Sequence, residues 1–105
     1  MPTIIENRRN LHQIPEIELT TQKTAQYIEN ILDLYDCTID HPIQNSVTAF
    51  FDNKKEKTIV FRSDMDALPM EENTDLAFKS TNGCMHACGH DGHMAMVLEL
   101  AKYAK

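Results

Sequence analysis

Eleven consecutive residues, Gly83-Cys84-Met85-His86-Ala87-Cys88-Gly89-His90-Asp91-Gly92-His93, concentrate the side chains able to do chemistry. They hold two of the three cysteines, three of the five histidines and all three glycines of the 105-residue chain. Thiolate, imidazole and carboxylate are the common soft and borderline metal ligands, and glycine lets the backbone fold them together. Within the stretch, Cys88-Gly89-His90 is the sharpest signal. Residues i and i+2 of an extended or turning segment can point the same way, so Cys88 and His90 can share one metal ion. A buried thiol beside a polar helix cap is the plainer alternative. Cys84, Cys88, His90 and His93 could also form a four-ligand structural knot. Zinc modules, however, usually split their ligands into two pairs separated by a dozen or so residues. His93 is an accessory candidate, free to bond the loop or face a substrate.

A second candidate group is Asp64-Met65-Asp66, two carboxylates on one face by the period of two, at the end of the apolar run Thr58-Ile59-Val60-Phe61-Arg62. Either can ligate a metal or orient a metal-bound histidine. A solvated turn is the alternative, since aspartate is frequent where strands end. Arg62 needs a partner if it lies inside a strand, and Asp64 is near enough to serve. His12 and His41 read as surface or packing histidines.

The elements that must position these residues are legible in part. Met94, Val97, Leu98 and Ala101 fall at i, i+3, i+4 and i+7, which predicts a helix after the glycine-jointed loop, with Asp91 as its N-cap. Thr3 with Glu6 is a capping-box pattern opening a short helix to about Gln13, stopped by Ile14-Pro15. Ala25, Ile28, Ile31, Leu32 and Tyr35 form the apolar face of a second helix starting near Thr20 or Thr21. Thr38–His41 reads as a short edge strand before Pro42. Ser46–Phe51 and Thr58–Arg62 read as strands joined by the charged turn Asn53–Lys57, which predicts a hairpin. Ala67–Ser80 is an acidic, irregular connection of the kind that often lies over a site. The fold class expected is α/β, with helices packed on a mixed sheet and chemistry just beyond a strand's C-terminal end.

Composition narrows the function. A 42% hydrophobic and 25% charged content is ordinary for a soluble globular domain. The net charge of −6 argues against nucleic acid and anionic membrane surfaces as partners. No apolar run approaches the roughly 18 residues of a membrane span, and no signal-peptide core is present. A cytoplasmic location is therefore expected, where cysteines are thiols or metal ligands rather than disulfides.

Met85-His86-Ala87-Cys88-Gly89-His90-Asp91-Gly92-His93, preceded by Arg62-Ser63-Asp64-Met65-Asp66-Ala67-Leu68-Pro69, resembles the M20 family of metallopeptidases and amidohydrolases. The similarity is to the branch of hippurate hydrolases, N-acyl-amino-acid amidohydrolases, auxin-conjugate hydrolases and N-acetyldiaminopimelate deacetylases. Arg8-Arg9-Asn10-Leu11-His12-Gln13-Ile14-Pro15-Glu16 resembles the start of that branch, so the likeness spans almost the whole chain.

This resemblance implies a two-metal hydrolase of N-acyl amino acids or peptide-like amides, with Cys88 and His90 as metal ligands and Asp66 as the catalytic aspartate supporting the centre. Asp64 and His93 stay accessory candidates. Zinc, manganese, nickel and cobalt are the divalent ions such sites use, two per complete site. They polarise the amide carbonyl and acidify a water, while a glutamate transfers the proton. A homo-oligomer is among the assemblies open to the complete enzyme.

Two departures stand out. Asp52-Asn53-Lys54-Lys55-Glu56 replaces the glycine-rich turns common in relatives. Family members are also several times longer, and none of Glu71, Glu72 or Glu99 matches the context of the base. Residues 1–105 are thus expected to be the N-terminal portion of a catalytic domain, without the lid or dimerisation domain, and inactive alone. The alternatives are a free-standing single-metal module or a redox-sensing one built on Cys84, Cys88, His90 and His93.

Overall fold

A computed structural model describes all residues from Met1 to Lys105. The first helix, α1 (Ile4–His12), opens on the expected capping box. Glu6 N donates to Thr3 Oγ1 at 3.1 Å and Thr3 N donates to Glu6 Oε1 at 3.3 Å. Two of the amides that a helix start leaves without intrahelical partners are satisfied in this way. Helix α2 (Gln22–Leu32) follows a connection through Pro15 and buries Ala25, Ile28, Ile31 and Leu32 as its periodicity predicts. Its own N-cap, Thr21, makes no capping bond. The Glu16 carboxylate does the work instead, accepting from Lys23 N at 3.2 Å and from Thr24 N and Oγ1 at 2.8 Å each. A carboxylate there also suits the positive end of the helix.

Two three-residue strands, β1 (Thr38–Asp40) and β2 (Thr48–Phe50), pair antiparallel with Ile39 opposite Ala49. Ile39 and Ala49 face the helices while their neighbours face solvent. The third helix, α3 (His90–Leu100), continues into a single 3₁₀ turn, Ala101–Tyr103. Leu11, Ile28, Ile31, Leu32, Met94, Leu98 and Ala101 form one core between the three helices, and the sheet edges onto it. The α/β class is as expected, with a sheet of two antiparallel strands.

Three local expectations are corrected. The hairpin does not join Ser46–Phe51 to Thr58–Arg62. Its strands are β1 and β2, and residues 58–62 have no ladder partner. Ile59, Val60 and Phe61 are 78%, 81% and 63% exposed. Three adjacent apolar residues point to both faces of a strand, so burying them takes cover on two sides, and these 105 residues provide neither. Arg62 is likewise exposed rather than inside a strand, though it does pair with Asp64 at 2.5 Å. Finally, the N-cap of α3 is Gly89 in the left-handed region (φ 79°), not Asp91, which lies buried in the first turn. Only a residue free of Cβ crowding adopts that φ without strain, so the glycine sets where the helix begins.

The surface reflects the open segment. The accessible area is 7130 Å², against about 6,000 Å² for a compact monomer of this mass. The radius of gyration is 14.2 Å, against about 13 Å for a compact chain of this length.

Candidate metal centre

Two backbone hydrogen bonds bring the predicted groups together. Leu68 N donates to Met85 O and Met85 N to Leu68 O, each at 2.9 Å. This clamp lays the end of the 58–66 segment beside the loop leading into α3. Asp64, Asp66 and His90 then each offer a ligand atom, all within 4.8 Å of one another. His90 Nδ1 lies 2.8 Å from the Asp66 carbonyl oxygen and 3.1 Å from Asp66 Oδ1. Both partners only accept, so a hydrogen sits on Nδ1, and in the neutral imidazole the lone pair is on Nε2. Nε2 faces Asp64 Oδ2 at 4.0 Å. A histidine that gives one N–H to a carboxylate or carbonyl and holds out its other nitrogen is arranged as metal-ligating histidines are. The donor set therefore fits a divalent cation on the Nε2 side, with Asp64 opposite and Asp66 holding the ring.

The other predicted residues lie around this group. Cys88 is exposed two residues before His90, and its sulfur is outside the cluster of three. The His93 ring is 6.0 Å from that of His90, tilted by 36°. Cys84 is half-buried, in the turn where its carbonyl accepts from Ser80 Oγ at 2.5 Å and its amide donates to Asn82 at 3.1 Å. Cys84, Cys88, His90 and His93 do not close on one point.

Sequence reasoning missed a buried polar network directly beneath. His12 is 2% exposed. Its Nδ1 lies 2.7 Å from Asp91 Oδ2 and its Nε2 2.8 Å from Glu72 Oε1. Arg8 Nε reaches the same Asp91 oxygen at 2.9 Å. Glu72 also accepts from the Ser80 amide at 2.9 Å and from the Thr74 hydroxyl. Burial pushes the Glu72 carboxyl up, but the bonds from Thr74, His12 and Ser80 outweigh it and bring it down to about 2. The one available signal was Arg8 and His12 at i and i+4, sharing a face of α1. His86 is also buried, with neither ring nitrogen bonded to the protein. Burial first, then the nearby His12 and His90, lowers its pKa against the pull of Asp91 and Asp66.

Residues 60–105 match the family model Peptidase family M20/M25/M40. A structure from methicillin-resistant Staphylococcus aureus, described as an aminohydrolase, superposes on 97% of the chain with a TM-score of 0.91 at 40% identity, using 28% of its own length. Over this stretch the chain is similar to the M20 family. The YXEP protein of Bacillus subtilis, a dinuclear metal-binding peptidase of the M20 family, matches 95% of the chain with a TM-score of 0.86 at 36% identity, over 29% of its own chain. An uncharacterized hydrolase of Staphylococcus epidermidis is 42% identical over 100 residues, which are 94% of this chain and 26% of the relative. The chain thus spans about a quarter of the length of the curated relatives it matches. No helix is long and apolar enough to cross a membrane.

Proposed function

We propose that this chain is the N-terminal portion of a metal-dependent M20 hydrolase that cleaves the amide bond of N-acyl amino acids or similar small amides. The observation that carries the reading is the His90 ring, fixed through Nδ1 by Asp66 with Nε2 held towards Asp64. When bound, a pair of divalent ions supplies Lewis-acid polarisation of the amide carbonyl and acidification of a water. The chain's own residues prepare for that. His90 and Cys88 are the ligands, Asp66 fixes the imidazole tautomer, and Asp64 with His93 flanks the pair. Zinc, manganese, nickel and cobalt all suit a thiolate, imidazole and carboxylate set. The three cysteines are free thiols, in keeping with a cytoplasmic setting.

The test is metal stoichiometry and turnover in a full-length enzyme carrying these residues, with N-acetyl and N-benzoyl amino acids as substrates. Cys88→Ala and His90→Ala should lose most bound metal and most turnover, while Cys84→Ala keeps both. Unchanged stoichiometry in Cys88→Ala would remove that ligand assignment. The 105-residue chain alone is expected to show no steady turnover, because a catalytic site takes about three protein ligands per metal and this chain lacks the matching glutamate base.

A further inference from the structure

We propose that His12 is a positioning residue for the His90–His93 turn, holding it through Asp91; for the cation at that turn, this rests on the metal reading above. Helix α3 starts on a glycine, which has no side chain to cap it, and makes no side-chain capping bond. The first turn is oriented from outside. Asp91, bonded to His90 through the chain and 1% exposed, has no polar side-chain partners other than Arg8 and His12 of α1. Arg8 is the looser tie, its side chain 39% exposed and its guanidinium 5.4 Å from the centroid of the Phe78 ring. His12 is the rigid one. It is buried, flanked edge-on by Phe78 at 5.7 Å and anchored behind by both oxygens of Glu72 at 2.8 and 2.9 Å.

One imidazole thus joins residues 60 and 79 positions away in the chain. Packing does not require this. Leucines in place of all three of His12, Glu72 and Asp91 would fill the volume without burying charge, and a buried ionic group contributes little net stability over such a replacement. What the arrangement supplies is direction: the Asp91 carboxylate is fixed, and with it the peptide that carries His90. Groups that bond a metal ligand directly typically govern metal affinity by about 10–100-fold, and His12 acts one link further out.

The experiment separates the two ends of the His12 ring. An asparagine amide reaches the place of Nδ1 and can still donate to Asp91. A glutamine amide reaches the place of Nε2 and keeps only the Glu72 side. The 105-residue chain is made as wild type, His12→Asn, His12→Gln and Tyr27→Phe. The last loses the 2.7 Å bond to Asn7 in the α1–α2 contact, without touching Asp91. Amide exchange at His93, whose N–H donates to Gly89 O at 3.0 Å, is followed by NMR, and cobalt(II) affinity by titration.

His12→Gln should speed His93 exchange and weaken cobalt binding, each by about tenfold or more. His12→Asn should stay near wild type, and Tyr27→Phe should lower the melting temperature while moving neither readout. A glutamine variant that fails to fold beside a folded, native-like asparagine variant leads to the same conclusion. Equal impairment of both His12 variants, loss of fold in both, or wild-type behaviour in His12→Gln overturns the proposal. Wild-type chain that binds no cobalt would mean that Cys88 and His90 do not hold a cation without the rest of the enzyme, and the exchange comparison still decides the role of His12.

Discussion

The helical half of the molecule and the segment from Asp52 to Asp66 obey opposite rules. In the helices each apolar stripe finds its counterpart within 105 residues: Leu11 from α1, Ile28 and Leu32 from α2, Met94 and Leu98 from α3. In the extended segment the most apolar run, Ile59-Val60-Phe61, is almost wholly in solvent. The difference is one of geometry. A helix needs cover on one stripe and completes its hydrogen bonds internally, whereas a central strand needs two covered faces and two neighbours. The candidate metal centre lies on the border, taking Asp64 and Asp66 from the open segment and His90 from the packed half.

The contrast can be broken at its strong side first. Leu11→Ala removes a fully buried side chain from the meeting point of the helices and should cost about 2–5 kcal/mol, enough to unfold a domain this small. Urea denaturation followed by circular dichroism reads this directly, and a loss below about 1 kcal/mol would mean the helices do not share one core. At the border, Asp66→Asn in a full-length enzyme should leave the fold intact and cut turnover by about 100-fold, as expected when the partner that orients a metal ligand is weakened. Near-normal kcat with unchanged metal content would take Asp66 out of the site.

A smaller effect is expected with pH. Glu72 has its carboxyl lowered in the folded state from 4.5 to about 2, so its contribution to stability is present above 4.5 and disappears as pH falls towards 2. The urea midpoint should fall over that window in the wild type and fall less steeply in Glu72→Gln. Parallel slopes would show that the His12–Glu72 contact does not survive in solution. The smallest effect belongs to the open side. Val60→Lys should change stability by no more than about 0.5 kcal/mol while raising the concentration at which the chain stays monodisperse in light scattering, because a charge blocks strand-edge association. A large destabilisation there would mean that the segment is covered after all.

The same division explains what the sequence disclosed. The capping box of Thr3 and Glu6 and the stripe of α2 are local codes, complete within a few residues, and both appear as read. Cys88-Gly89-His90 stands out in the sequence as a motif; in the fold His90 joins the carboxylates and the Cys88 sulfur stays outside the cluster. That Asp64 and Asp66 reach His90 depends on the Leu68–Met85 clamp, a pairing between isolated residues with no periodic signal. His12 read as a surface or packing histidine because its polar partners lie 60 and 79 residues further on. The cap of α2 went unseen for the same reason: Glu16 lies seven and eight positions before the amides it holds. Thr58–Arg62 carried a genuine strand pattern, but a pattern names the need for neighbours and cannot supply them.

The Leu68–Met85 clamp also bears on how this stretch can change over evolutionary time. Its two hydrogen bonds close the connection at the base, and Glu72 with Ser80 fastens it again further in. Residues 73–79 lie beyond both fastenings, and Asp75, Leu76 and Ala77 are their exposed tip. Lengthening a loop whose ends are already tied costs only about 0.6 kcal/mol for each doubling of its length. Insertions at Asp75–Ala77 can therefore accumulate, or be engineered as a tag or a new recognition loop, while Asp66 and His90 keep their spacing.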